Sequence, residues 1–112
     1  MDALLDTLAG ENLLSDRRFA AAYCRQRADK GYGPARIVLE LRQRGIAEDI
    51  ARQALADLAL DWSQQARRAV RAKRFASPPA RQDREWARQW RFLQQRGFAS
   101  EHIRQALGGE DY

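Results

Sequence analysis

Apolar positions along the chain recur with the period of a helix. Phe19, Ala22 and Tyr23 stand at i, i+3 and i+4, followed by Ile37, Val38 and Leu41 and by Ile50, Ala54 and Leu58. Trp62, Ala66, Ala69 and Val70, then Trp86, Trp90 and Leu93, carry the pattern into the second half. Each segment therefore has one apolar face, the mark of an amphipathic helix packed on a core. No segment alternates as a strand would. Thr7, Val38 and Val70 are the only Thr and Val, too few for a sheet.

The residues between these segments are helix punctuation. A partial helix is expected near 3–9, and Ser15 is placed to cap a helix over 16–29. Gly31-Tyr32-Gly33 breaks that helix, Pro34 suits the first turn of the next, and Gly45 suits the position just past its end. A third helix is predicted over 48–60. Asp61 and Gln64 have capping-box spacing for a helix over 62–75. Ser77-Pro78-Pro79-Ala80 reads as a linker, Asp83 as the cap of a helix ending before Gly97, and Ser100 as the cap of a last helix stopping at Gly108-Gly109. Gly45 and Gly97 each precede an apolar residue, Ile46 and Phe98, so both are expected at positive φ in a Schellman ending.

The segment Leu41 to Leu55 aligns without gaps to Leu93 to Leu107, with nine of fifteen positions identical at an offset of 52. A weaker third copy is read at the N-terminus, where Leu8, Asn12 and Leu13 correspond to Leu41, Gly45 and Ile46. One such helix–turn–helix unit cannot bury its apolar face alone, so copies must stack. The expected fold is all-α, with tandem three-helix repeats forming an elongated, curved array. Its radius of gyration should exceed the roughly 13 Å of a compact chain of this length.

Composition narrows the chemistry. Of 112 residues, 45% are hydrophobic and 31% charged, ordinary for a folded chain. Twenty are Ala, which suits close helix packing. There are 20 Lys and Arg against 15 Asp and Glu, and only Lys30 and Lys73 are Lys. Arg makes planar, bidentate contacts with carboxylates and phosphates, so this bias hints at an interface. The charge is uneven: residues 1–61 carry net −1 and residues 62–112 net +6. Arg67, Arg68, Arg71 and Arg74 share a helix face opposite Trp62, Ala66 and Val70, and Arg84, Arg88 and Arg91 form a second stripe. Such a field attracts nucleic acid or an acidic protein groove. The candidate contact residues are Arg67, Arg68, Arg71, Lys73, Arg74, Arg84, Arg88 and Arg91, with Arg25, Lys30, Tyr32 and Arg36 as additional contacts.

Other chemistry finds little support. One Cys, Cys24, and one His, His102, exclude a disulfide within the chain, a Cys-based zinc site and a Ser-His-Asp set. No catalytic residues, metal ligands or cofactor are predicted. No run of about 18 apolar residues exists to span a membrane. The short acidic start is unlike a signal peptide, and the cytosol is the expected compartment. Cys24 lies on an apolar face and is read as a buried thiol. His102 is read as exposed. Trp86 and Trp90 have the spacing to stack on bases, but Leu93 continues their face and favours a buried seam. Tyr32 is balanced between a contact residue and a turn packed on the next helix. Arg44 and Arg96 sit at helix C-termini, where a cation is favoured by roughly 0.3–1 kcal/mol without any ligand.

The stretch Ser15 to Ile46 resembles the central motif of the RecX regulatory proteins. Its Phe-Ala pair after Ser-Asp, its Gly-Tyr-Gly-Pro turn and its Glu-Leu-Arg-x-Arg-Gly-Ile ending occur in the family's order. The Trp-led basic helix from Asp61, Lys73 to Phe75, and Arg91-Phe92-Leu93 through Arg96-Gly97-Phe98 resemble its third repeat. The likeness covers about residues 4–107. It implies the end of an incomplete first repeat at 1–14, a second three-helix repeat at 15–60, a third at 61–108 and a tail at 109–112. The Ser-Pro-Pro-Ala insertion departs from the family pattern and implies a long hinge. The likeness also implies a non-catalytic monomer that docks in the groove of the RecA–DNA filament. There it would block extension and repress ATP hydrolysis, strand exchange and coprotease activity, with direct DNA binding as a secondary property. A sequence-independent nucleic-acid binder is the alternative.

Overall fold

A computed structural model describes the backbone of residues 2–73 and 84–108, and the side chains among these from residue 13 onward. Arg74, Phe75, the Ser77–Ala80 linker, the Asp83 cap and the tail lie outside the described residues. Among the described residues there are six helices: α1 (Asp2–Asp29), α2 (Pro34–Gln43), α3 (Glu48–Leu58), α4 (Trp62–Ala72), α5 (Arg84–Arg96) and α6 (Ser100–Leu107). There is no strand among the described residues.

The first helix differs from expectation. Residues 2–29 form one 28-residue helix, roughly 42 Å long at 1.5 Å per residue, with neither a turn at Asn12 nor a cap at Ser15. The reason lies in what a turn would have to bury. Ile46 and Phe98 follow the turns at Gly45 and Gly97 and are 6% and 5% exposed, whereas Leu13 and Leu14 are 45% and 56% exposed. No core draws Leu13 inward, and a single Asn or Ser inside a helix costs well under about 1 kcal/mol, so the helix continues.

The other endings follow the sequence. At Gly45 the Ile46 amide donates to the Leu41 carbonyl and the Gly45 amide to Arg42, the two bonds of a Schellman motif. The same pair recurs at Gly97 (Phe98 to Leu93, Gly97 to Gln94) and at Gly31 (Tyr32 to Arg27, Gly31 to Ala28). All three glycines have positive φ. Helix α3 stops at Leu58 rather than 60 because Ala59 turns left-handed at φ 51. Asp61 caps α4, accepting from the Ser63 and Gln64 amides at 3.1 and 3.3 Å. The reciprocal half of the box is not seen: the side-chain Oε1 of Gln64 instead accepts from Arg67 at 3.0 Å. Ala99, not Ser100, is the N-cap of α6, so Ser100 is the first helical residue and supplies no side-chain cap.

The helices form two three-helix units with separate cores. Ala20, Cys24, Ile37, Leu41, Ile46, Ala51 and Leu55 fill the first. Ala66, Ala69, Leu93, Phe98, Ile103 and Leu107 fill the second. Positions 52 apart are equivalent in space, since Leu41 and Leu93 are both fully buried, as are Ala51 and Ile103. Each full burial of a Leu or Ile stabilises by roughly 1.5–3 kcal/mol. Trp62 packs against both cores and meets Phe98 edge-on at 6.4 Å between ring centroids. The radius of gyration is 17.4 Å and the principal extents are 64 × 24 × 19 Å, elongated beyond the roughly 13 Å of a compact chain.

Candidate interaction surface

The two units meet through backbone. The C-terminal carbonyls of α5 point at the N-terminal amides of α2: Gly33 donates to the Arg96 carbonyl at 2.6 Å and Ala35 to the Gly97 carbonyl at 3.0 Å. Amides at a helix start and carbonyls at a helix end lack intrahelical partners, so each end satisfies the other, and their opposite partial charges attract. Two glycines make the approach possible. A Cβ at Gly33 would lie 2.6 Å from the Gly97 carbonyl group, and a Cβ at Gly97 would collide with the Arg36 backbone.

Arginines lock the joint. Arg96 donates to the Lys30 carbonyl at 3.2 Å and Arg36 to the Gln95 carbonyl at 3.3 Å. The Tyr32 ring lies among three guanidinium groups, Arg27 at 3.9 Å, Arg96 at 4.7 Å and Arg36 at 5.4 Å from its centroid. Such contacts contribute about 0.5–2 kcal/mol each. Glu40 holds the next layer. It accepts from Tyr23 at 2.8 Å, from two Arg27 nitrogens at 2.9 and 3.0 Å, and from Arg36 at 2.8 Å. Part of the arginine bias thus serves contacts within the chain.

Burial raises the Glu40 pKa, but the bonds from Arg27, Arg36 and Tyr23 together outweigh it and leave the carboxyl below its ordinary value. A carboxyl depressed on folding adds stability above its unfolded pKa and loses it as the pH falls through the folded value. Glu40→Gln should therefore cost about 2 kcal/mol at pH 7, and the gap to the parent should narrow as the pH falls through and below the ordinary carboxylate range. Thermal melts across that range test it; a gap independent of pH would contradict it.

The predicted basic face is only partly free. Arg67 is half-buried and donates to the Gln105 carbonyl at 3.0 Å, tying α4 to the end of α6. Its guanidinium therefore helps hold α4 to α6 as well as facing solvent. Arg68, Arg71, Lys73, Arg84 and Arg91 are exposed, and Arg88 is exposed but pairs with Glu85 at 2.9 Å. Arg25, Lys30 and Arg36 are exposed and Tyr32 is half-buried. Arg36 and Tyr32 belong to the joint. Lys30, Arg68, Lys73 and Arg96 converge on one cleft between the units.

Cys24 is buried, and burial pushes its thiol up to about 11. His102 is half-buried rather than exposed, with Nδ1 shielded and without a hydrogen-bond partner. The register misled because His102 replaces Ile50, an apolar position of the first copy. Trp86 and Trp90 pack on each other at 5.1 Å and on the second core, half-buried, which favours the seam. Gln89, buried at 1% exposure and within 3.4 Å of Glu85, lies on the same side and carries no apolar signal. No group of His, Cys, Asp or Glu among the described residues could hold a metal ion. No helix of the described residues is long and apolar enough to cross a membrane.

Comparison with known proteins places these units. Residues 15–55 match the family model for the second three-helix domain of RecX, and residues 63–107 match that for the third. Proteins named regulatory protein RecX are similar over nearly the whole chain. The one from Halorhodospira halophila is 44% identical over 108 residues, covering 96% of this chain and 66% of the relative. That from Chromohalobacter salexigens is 47% identical over 105 residues, covering 94% and 68%. That from Ectopseudomonas mendocina is 42% identical over 111 residues, covering 99% and 73%. The chain thus spans about two thirds of the length of these curated relatives.

Proposed function

The chain belongs to the RecX family of regulatory proteins, and from that premise we propose that it binds RecA in its filament on single-stranded DNA and restrains it. The action is non-catalytic. Occupying the filament groove blocks extension and represses ATP hydrolysis, strand exchange and coprotease activity. The observation that carries this reading is the match of both three-helix units, in order, to the family's second and third domains. The shape supports it: a rod 64 Å long can touch successive protomers of a helical polymer. The exposed cations Arg68, Arg71, Lys73, Arg84 and Arg91 suit an acidic groove with nearby phosphates.

A sequence-independent nucleic-acid binder is the second reading, favoured by the net charge of +6 over residues 62–112. Capture of RecA on immobilised chain, with and without nuclease, separates the two. Binding that survives nuclease supports the RecA reading, and binding that disappears with the DNA supports the alternative.

A further inference from the structure

Eighteen of the chain's twenty basic residues are Arg, and its only two lysines, Lys30 and Lys73, are 43 positions apart in sequence. Both line the same cleft. This open cleft, of about 280 Å³, lies where the end of α1 faces α4 and the end of α5. Ala28, Gly31, Ala69 and Ala72 keep its walls low, and Arg68 and Arg96 join the two lysines around it. Arg96 is held in place by the Lys30 carbonyl and by the Tyr32 and Phe92 rings, its guanidinium 4.8 Å from the latter. Lys73 reaches the same Phe92 ring at 5.8 Å.

We infer that this cleft is a phosphate-binding site, completed only when both units are joined. Electrostatics permit it. Among the described residues Asp29 is the one acidic residue in the lining; the C-termini of α1 and α4 add roughly half a negative charge each, and that of α5 is offset by the N-terminus of α2, leaving an excess of about two positive charges. The residue types favour phosphate over carboxylate. Where this chain engages its own carboxylates it uses arginine: Arg27 and Arg36 on Glu40, Arg52 on Glu48, Arg88 on Glu85. A lysine ammonium is a compact charge on a flexible stem, without the planar fork that a carboxylate matches. Two of them around a fixed arginine suit a tetrahedral anion whose orientation varies. The phosphate can come from a nucleic-acid backbone or from a free phosphoryl compound.

The site shares Arg68 and Lys73 with the proposed basic face, but its test contains no RecA, so either reading can fail without the other. Binding of a fluorescent oligothymidylate is measured against salt for the full chain, for Lys30→Gln/Lys73→Gln, and for Arg42→Gln/Arg52→Gln, which removes equal charge outside the cleft. The lysine pair should weaken binding about tenfold at low salt and flatten the log–log salt slope by about 1.4, the share of two phosphate contacts on a single strand. The control pair should change neither by more than about twofold. Displacement of the oligonucleotide by millimolar pyrophosphate supports a site for any phosphoryl group, and its retention supports one specific to the backbone. Equal losses in both variants would overturn the proposal by assigning binding to diffuse charge. So would an unchanged slope in the lysine variant, or a polyglutamate peptide that needs both lysines where the oligonucleotide does not.

Discussion

Replacing Gly97 with Ala should destabilise the chain by about 3 kcal/mol, against about 1 kcal/mol for the same change at Gly45. The two glycines occupy equivalent turns with φ of 97° and 88°, so the left-handed backbone costs an added Cβ the same at both. They differ in what the Cβ meets. At Gly45 no atom of the described residues lies within 4 Å, whereas at Gly97 it collides with the backbone of Arg36. The excess therefore measures the joint. Gly33→Ala isolates it further, since Gly33 has an extended backbone (φ −96°, ψ 173°) that Ala adopts freely. Its whole cost arises from the peptide group joining Gly97 and Phe98, whose atoms lie 2.6–2.7 Å from the added carbon. Gly33→Ala should retain the helical signal of both units but release one from the other, raising the radius of gyration in small-angle scattering. Denaturant melts giving Gly97→Ala and Gly45→Ala the same cost would refute the steric role of the joint.

Reversing Arg68 and Arg71 to Glu should weaken inhibition of RecA at least 100-fold while leaving helicity unchanged. Both are exposed on α4, so the fold does not use their charge. Like charges facing an acidic groove cost several kcal/mol, and 100-fold corresponds to about 2.7 kcal/mol. Arg67 is left intact because its bond to the Gln105 carbonyl holds α4 to α6, and a variant at Arg67 would confound binding with folding. Salt distinguishes the two readings of this face. Pure single-strand binding through five phosphates would give a log–log slope of roughly −3.5. A RecA contact that is partly apolar should be shallower. Inhibition by the double variant equal to the parent's would remove this face from the site.

What could be read from the sequence was what is local. The turns at Gly45 and Gly97 were legible because an αL residue followed by an apolar one is a pattern of six positions. The Asp61 cap was legible for the same reason. The length of α1 was not, because Asn12 and Ser15 carry turn and cap signals that operate only where a core draws the chain inward, and Leu13 has none. The joint was invisible for a different reason. Gly33 and Gly97 are 64 positions apart, and each has a sufficient local explanation as a turn glycine. Their shared purpose, room for the end of one helix to meet the start of another, exists only in three dimensions. The basic face was half legible. Helical spacing placed Arg68 and Arg71 outward, but it could not show that Arg67, one position along, reaches across to α6. Nor could it bring Lys30 beside Lys73.

Restraint of RecA by these two helical units is read out on a RecA filament assembled on single-stranded DNA. ATP hydrolysis is followed as the chain is added at fixed RecA and DNA concentrations. Hydrolysis should fall with added chain to a plateau, and the Arg68→Glu/Arg71→Glu variant should leave it near the starting rate. Hydrolysis unchanged by saturating, correctly folded chain would contradict that restraint.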